Sequence, residues 1–418
     1  DFRTPTAETA TLRQWLSQRE EYRDRLLAMQ RAAEGTPAVF TDQANAAAFF
    51  GDNMVLSASR VERFEQCRFA YFCQYGLKAQ PRQTAEMNAL ESGTLVHAVM
   101  EQLLPVYSET GFDAITKARA EQDAGAAVDA YVADALGGAE NKPKRFVHQL
   151  ERLKRLCGEL LWRVVCELRQ SRFVPVDYEL SVGMGGEGVD APVLTLPDGA
   201  RIRVIGKIDR VDAYRRGDET FIRVVDYKTG SKEFRLSDVA AGINLQMLLY
   251  LFALWENGGA RYGKVQPAGV LYLPAKLPVV KVERDEAAEA DKLERDRVKT
   301  MRMNGLLLDD PDIIRAMEAD AAGVFIPASI TAKGSYGRSA SVASLAQLGR
   351  LKNRTDAILR DMAATLRAGD IAAVPAFGKT VDACAYCPYH AVCGHEPDDP
   401  TRPILKREPP EVWRELDE

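Results

Sequence analysis

The sequence predicts an α/β fold in which a β-sheet is flanked by helices. Three observations carry this. Long Ala/Glu/Lys-rich helical patterns cover roughly 112–136 and 144–170. Runs rich in Val, Ile and Tyr follow at 178–182, 193–196, 201–214 and 220–229. A helical pattern at 244–255 then alternates with an apolar strand pattern at 265–273.

Taken in order, residues from about Thr6 to Ala33 are charged and helical in pattern, with an apolar stripe through Leu12, Trp15, Leu16, Tyr22, Leu26, Leu27 and Met29. With the Gly/Pro/Ala-rich joint Gly35 to Gly51, they read as residues 1–52, the helical tail of a preceding domain and its linker. The compact domain is expected over 53–395. A serine of Leu56-Ser57-Ala58-Ser59 caps a helix from Arg60 to Phe72, and Glu91-Ser92-Gly93-Thr94 starts another with His97 in its first turn and Glu101 one turn later. Later helices are expected around 287–304, 311–317 and 342–368, and 396–418 is a polar, Pro-rich tail. There is no internal repeat and no G-x-x-x-x-G-K-[ST] loop for nucleotide phosphates, so no ATP motor is expected in this stretch.

With 418 residues, 46% of them hydrophobic, the chain can build two or three domains or one domain with large insertions. No window approaches the roughly eighteen uninterrupted apolar residues of a membrane span. Asp1-Phe2-Arg3 is neither an initiator methionine nor a signal peptide, which suggests a piece of a longer, cytoplasmic protein with no membrane partner. A net charge of −5 argues against an autonomous nucleic-acid binder. Any such contact falls to local basic groups: Lys142, Lys144 and Arg145; Arg152, Lys154 and Arg155; or Lys333 and Arg338. Each is more often a plain solvated face.

The runs 201–214 and 220–229, with Arg215-Arg216-Gly217-Asp218 between them, form a β-hairpin. Side chains alternate along a strand, so Asp226 and Lys228 share one face and Tyr227 takes the other. A turn centred near Gly217 places Asp209 almost opposite Val224, its carboxylate diagonal to that of Asp226. Two carboxylates can hold a hard cation such as Mg²⁺, which also binds a phosphate. A lysine two residues beyond the ligand can hold a water or offset charge in the transition state. An isolated D-x-K is more often a surface hairpin with a salt bridge. In the helix at 244–255, Gln246 and Tyr250 share one face at i and i+4. Glu179 lies where a supporting acidic residue is expected, or equally at a solvent-facing strand edge.

Seven cysteines without a secretion signal do not suggest a disulfide framework. Cys384-Ala385-Tyr386-Cys387 with Cys393 supplies three thiols within ten residues, and Cys67 far upstream offers a fourth. Four thiolates bind an iron–sulfur cluster or a tetrahedral zinc. Cys73, His390 and His395 compete for the fourth place, whereas Cys157 and Cys166 sit in an apolar helical pattern typical of small buried hydrophobes. A centre shared by Cys67 and the C-terminal trio would close a loop of about three hundred residues, and its binding energy would become folding energy.

Six motifs, in one order from Leu56 to about Gly394, give this chain a family resemblance. They are Ser57-Ala58-Ser59-Arg60 through Cys67 and Tyr71-Phe72; Gly93-Thr94-Leu95-Val96-His97; Gly206-Lys207-Ile208-Asp209-Arg210-Val211-Asp212; Asp226-Tyr227-Lys228-Thr229-Gly230; Gln246 with Tyr250; and Cys384, Cys387 and Cys393. The chain resembles the C-terminal nuclease domain of the AddB components of bacterial AddAB helicase–nucleases, within the RecB-like PD-(D/E)XK nucleases. The resemblance implies a restriction-endonuclease-like mixed sheet with large helical insertions and a C-terminal iron–sulfur staple.

It further implies that His97, Asp209, Asp226 and the Tyr227 carbonyl hold Mg²⁺ or Mn²⁺. Lys228 assists the attacking water, and Gln246 and Tyr250 position DNA or the lysine. Cys67, Cys384, Cys387 and Cys393 hold a 4Fe-4S cluster. The implied activity is exonucleolytic hydrolysis of single-stranded DNA, on the strand ending 5′, during double-strand-break processing for recombination. An AddA-like helicase–nuclease subunit is the implied partner. Arg68 departs from the proline that many relatives carry after this cysteine. Two rival readings are a free-standing cysteine-clustered CRISPR-associated exonuclease, and a DNA-binding scaffold with idle nuclease residues.

Overall fold

The computed structural model describes residues 6–34, 39–40, 42–80, 89–138, 140, 142–230, 233–277 and 297–417. The chain opens with helices α1 (Ala7–Ser17), α2 (Glu20–Glu34) and α3 (Gln43–Phe50). The single helical pattern expected from Thr6 to Ala33 is therefore two helices, and the expected joint contains a third, capped by the Asp42 carboxylate on the Ala44 N–H. Strand β1 (Asn53–Ser57) follows. Ser57 then accepts from the Arg60 N–H and caps α4 (Ala58–Gln66).

The helix expected to run unbroken to Phe72 is interrupted at Cys67, which is extended (φ −167°, ψ 122°) before α5 (Arg68–Tyr71) resumes. Helices α6 (Ala89–Thr110), α7 (Lys117–Leu136) and α8 (Lys144–Gln170) form a helical layer. In α8 the buried stripe Leu150, Leu153, Cys157, Leu160, Leu161, Val164 and Leu168 has helical periodicity. Each aliphatic side chain of the stripe contributes about 1.5–3 kcal/mol on burial.

Strands β2 (Val174–Val182), β3 (Val193–Thr195), β4 (Arg201–Arg216) and β5 (Glu219–Lys228) come next. They are followed by helices α9 (Leu236–Ala240), α10 (Gln246–Asn257) and α11 (Gly259–Tyr262), then β6 (Lys264–Pro274). The helix expected over 287–304 falls largely outside the described residues, and Asn304–Leu308 is a strand, β7. Helix α12 (Pro311–Met317), strand β8 (Val342–Ala343) and helix α13 (Leu345–Arg367) complete the sheet and its cover, with a Ser344/Gln347 capping box on α13. Strands Ala376–Gly378 and Arg402–Ile404 form a separate parallel pair.

The main sheet is mixed and eight-stranded, ordered β1-β4-β5-β6-β7-β8, with β2 and β3 also on β4. The long strand β4 changes neighbours along its length. Its first half pairs with β1 in parallel, ending with Ser57 opposite Ile205; its second half pairs with β5 antiparallel, starting with Arg210 opposite Val225. Between these ladders, Gly206 to Asp209 have no strand partner on that edge among the described residues. The hairpin turn is tighter than expected. Arg216 pairs with Glu219 across the two-residue turn Gly217–Asp218, where Gly217 has φ 64°. The register is therefore shifted by two from the expected pairing of Asp209 with Val224, and continuing it brings Asp209 level with Asp226.

Helices α8 and α10 cover opposite faces of β5. Glu167 of α8 reaches Arg223, and Gln246 of α10 reaches Asp226 three residues on. Behind the sheet lies a fully buried charge quartet. Arg210 bonds Glu167 Oε2 at 3.0 Å and Asp212 Oδ2 at 2.9 Å, Arg223 Nε bonds Asp212 Oδ2 at 2.8 Å, and Arg223 also pairs with Glu167. Burial alone would push the Glu167 carboxyl up, but the two guanidiniums outweigh it and hold the pKa below the usual value.

Candidate active site

The open stretch of β4 is where the acidic residues meet. The Asp209 carboxylate accepts the Tyr227 N–H at 3.0 Å, a side-chain bond where the ladder has stopped. From α6, His97 sets Nδ1 3.4 Å from Asp209 Oδ2 and Nε2 2.8 Å from the Tyr227 carbonyl oxygen. Glu179 of β2 completes a group with His97 and Asp209 in which one potential ligand atom of each lies within 4.8 Å of the others. Tyr178 opposite Arg210 and Leu180 opposite Ile208 bracket Glu179 to Asp209, and Glu179 itself has φ 47°. A left-handed backbone at a non-glycine strand residue is strained, of order 1–3 kcal/mol. Such strain collects at functional sites.

The electrostatics fit a site built for positive charge. Burial and the neighbouring Asp209 push the Asp226 carboxyl up, opposed by Lys228. Burial, Asp209 and Glu101 do the same at Glu179. At His97, burial acts to lower the pKa, but the bond and charge of Asp209, the Tyr227 carbonyl and Asp226 outweigh it and raise it to about 9.

Lys228 Nζ donates to Asp226 Oδ1 at 2.9 Å and lies 2.7 Å from Oδ2. Gln246, at the start of α10, accepts from Lys228 Nζ at 3.2 Å and donates to Asp226 Oδ1 at 3.4 Å, so it touches both members of the pair. One turn later, Tyr250 packs over Gly206 so closely that a Cβ there would lie 2.3 Å from the phenol oxygen. Only glycine leaves room for that ring on the open stretch of β4. Burial pushes the Tyr250 phenol up to about 12.

The cysteines sort by position. Cys67, Cys384, Cys387 and Cys393 line one small cavity with His390 and His395. Cys73 is buried against Ala70 and Tyr389 and does not line it. Burial raises the Cys67 and Cys384 thiols, and mutual repulsion with the other cysteines of the group adds to this. Cys157 is fully buried in α8.

A model of the PD-(D/E)XK nuclease superfamily matches residues 55–394. The chain belongs to the PD-(D/E)XK nuclease superfamily. Among curated proteins it is 33% identical to an ATP-dependent helicase/deoxyribonuclease subunit of Acetivibrio thermocellus over 91% of this chain and 33% of that protein. The subunits of the same name in Ruminiclostridium cellulolyticum and Clostridium novyi are 32% and 31% identical over 97% and 96% of this chain, and 36% of each protein. The chain thus spans about a third of the length of these relatives.

Within this superfamily domain, the residues singled out from sequence converge at two places: His97, Asp209, Asp226, Tyr227, Lys228, Gln246 and Tyr250 at the splayed strands, and the four cysteines at their cavity. Glu179, for which the sequence supports two readings, joins the first group. Glu167 and Arg223 carry no motif, and their partnership with Arg210 and Asp212 spans separate elements. Of the candidate basic groups, Lys154 is occupied by Asp129 and Glu151. No helix among the described residues is long and apolar enough to cross a membrane.

Proposed function

We propose that this chain is the nuclease domain of an AddAB-type helicase–nuclease and hydrolyses phosphodiester bonds of single-stranded DNA, on the strand ending 5′, during double-strand-break processing. The observation that carries the reading is the meeting of Asp209, Asp226 and Lys228 where β4 and β5 part. The His97 imidazole and the Asp209 and Glu179 carboxylates lie together as a donor set that suits a hard cation, and we add to it the Tyr227 carbonyl and the Asp226 carboxylate, which Lys228 holds when no metal is bound. Mg²⁺ or Mn²⁺ bound there would polarise the phosphate and acidify a water.

The chain's own residues do the rest. Lys228, held by Asp226 and Gln246, orients the attacking water and offsets negative charge as the phosphorus–oxygen bond breaks. Tyr250 buttresses the open stretch of β4. His97 and Asp209 fix the Tyr227 main chain in both flanking peptide groups, one at its carbonyl and one at its N–H.

The thiol-lined cavity suits a metal centre, and we assign it to a 4Fe-4S cluster held by Cys67, Cys384, Cys387 and Cys393. Its part is structural, tying α4 to the C-terminal segment. In the cell the domain would act in the cytoplasm with an AddA-like partner. The test is cleavage of end-labelled single-stranded DNA in Mg²⁺, with and without that partner, beside Asp226→Ala. Metal-dependent shortening that disappears in the variant supports the reading. Cleavage that survives the substitution overturns it.

A further inference from the structure

Tyr386 is 98% exposed, although it lies between Cys384 and Cys387. Its loop is firmly held. The Asp382 carboxylate accepts the N–H groups of Cys384 and Ala385 at 3.0 Å each, and the Cys387 N–H bonds the Cys384 carbonyl at 3.2 Å. A large ring held in water on an ordered turn is what a stacking platform for a nucleobase requires, because little further ordering is needed when the base arrives.

A cavity of about 460 Å³ opens beside this ring, with Arg63, Arg235, Asn244 and Thr380 among its walls. The Arg63 side chain makes no hydrogen bond or ion pair among the described residues, so its guanidinium is available to a phosphate. The wall also carries four carboxylates, Glu62, Glu233, Asp238 and Asp382: Glu233 pairs with Arg235 at 2.8 Å, Asp238 accepts from the Thr380 hydroxyl at 3.1 Å, Asp382 accepts the loop amides, and Glu62 has a partner of its own.

Asn244 connects this cavity to the site described above. It has φ 65°, its Nδ2 donates to the Glu233 carbonyl at 3.2 Å, and its Oδ1 accepts from the Tyr272 hydroxyl at 2.9 Å. The Tyr272 ring lies with its centroid 5.9 Å from Lys228 Nζ. The cavity wall is thus separated from Lys228 by two buried side chains, Asn244 and Tyr272, which places it next to the site.

We propose that this cavity is a nucleotide subsite for single-stranded DNA, with a base next to the reacting phosphate stacked on Tyr386 and its phosphate held by Arg63. The proposal rests on the nuclease reading above and adds what that reading lacks, a grip on the strand outside the reacting phosphate. It also gives the cysteine-rich segment a direct contact with substrate.

The experiment measures fluorescence anisotropy of labelled single-stranded oligonucleotides in EDTA, where no cleavage occurs, on the full chain with its metal centre loaded. Tyr386→Ala should weaken binding about ten-fold or more, the loss of one base–aromatic stack, while Tyr386→Phe stays close to the parent. Arg63→Gln should weaken binding and flatten its salt dependence.

A series of oligonucleotides, each with one abasic position, supplies a cycle that a folding defect cannot imitate. The parent should lose affinity at one position, and Tyr386→Ala should be indifferent there. Parent-like affinity of Tyr386→Ala, or equal losses for both proteins at every abasic position, overturns the subsite. Cleavage lost in Asp226→Ala, measured separately in Mg²⁺, reports on the nuclease reading alone.

Discussion

The Asp209 carboxylate holds the main-chain N–H of Tyr227 at 3.0 Å, so a residue of the candidate metal site also closes the gap where β4 and β5 separate. The two roles can be separated by substitution. Asp209→Asn keeps an oxygen for that N–H and removes a charge that faces Asp226, whereas Asp209→Ala removes both. Without metal, the Asn variant loses the charge that pairs with His97 but should stay about 1–3 kcal/mol more stable than the Ala variant, which also loses the bond to the N–H. Both should lose metal-dependent cleavage. Urea unfolding beside a nuclease assay checks this, and equal stability of the two variants would deny Asp209 its structural part.

With His97 as a proposed ligand, metal uptake should depend on pH. Its pKa is raised from 6.5 to about 9, so in the metal-free chain it carries a proton through the neutral range. Being raised in the folded state, it adds stability that is full below about 6.5 and lost as pH rises through about 9. Metal binding must displace that proton. Calorimetric titration with Mn²⁺ in buffers of different ionisation enthalpy should show close to one proton released near pH 7, abolished in His97→Gln. No buffer dependence would contradict the placement of His97.

Removing Glu167 should be costly without touching the front of the sheet. Glu167→Ala leaves two buried guanidiniums against one carboxylate, and breaking a buried pair in this way costs about 3–5 kcal/mol. The midpoint of urea unfolding should fall accordingly. A change below about 1 kcal/mol would mean that water reaches the quartet.

The cysteines make separable predictions. Cys387→Ser should lower the iron and acid-labile sulfide content per chain and reduce thermal stability, because the proposed centre would join segments about three hundred residues apart. Cys73→Ala should leave the metal content unchanged, since Cys73 packs behind Cys67 and Cys387 against Tyr389 and does not line the cavity. Zinc without iron in the parent would replace the cluster with a zinc centre.

The sequence is most legible where one period runs for many residues. Helix α8 begins and ends where its pattern does, at Lys144 and Gln170, because fifteen or more residues of 3.6 periodicity leave no competing reading. The hairpin is legible as strands but not in register, since Arg215 and Arg216 read as turn although the ladder continues to Arg216. Strands β1, β7 and β8 leave no clear pattern because they are short and gain their burial from partners distant in the chain. At the site, the motif residues are recognisable by type and order. Glu179 is not resolved in this way, because its approach to Asp209 depends on a left-handed backbone that no side-chain pattern announces. The break at Cys67 is hidden for a similar reason, inside a stretch that otherwise reads as continuous helix.

The buried quartet has an effect on the opposite side of the sheet. Arg210 and Arg223 adjoin Asp209 and the strand that carries Asp226, and two unmatched guanidiniums there would cancel much of the negative potential that draws a dication. Glu167 and Asp212 bring their sum to zero. The sheet thus behaves as an electrically silent backing, and the attraction felt by an approaching cation is set by the carboxylates that face it.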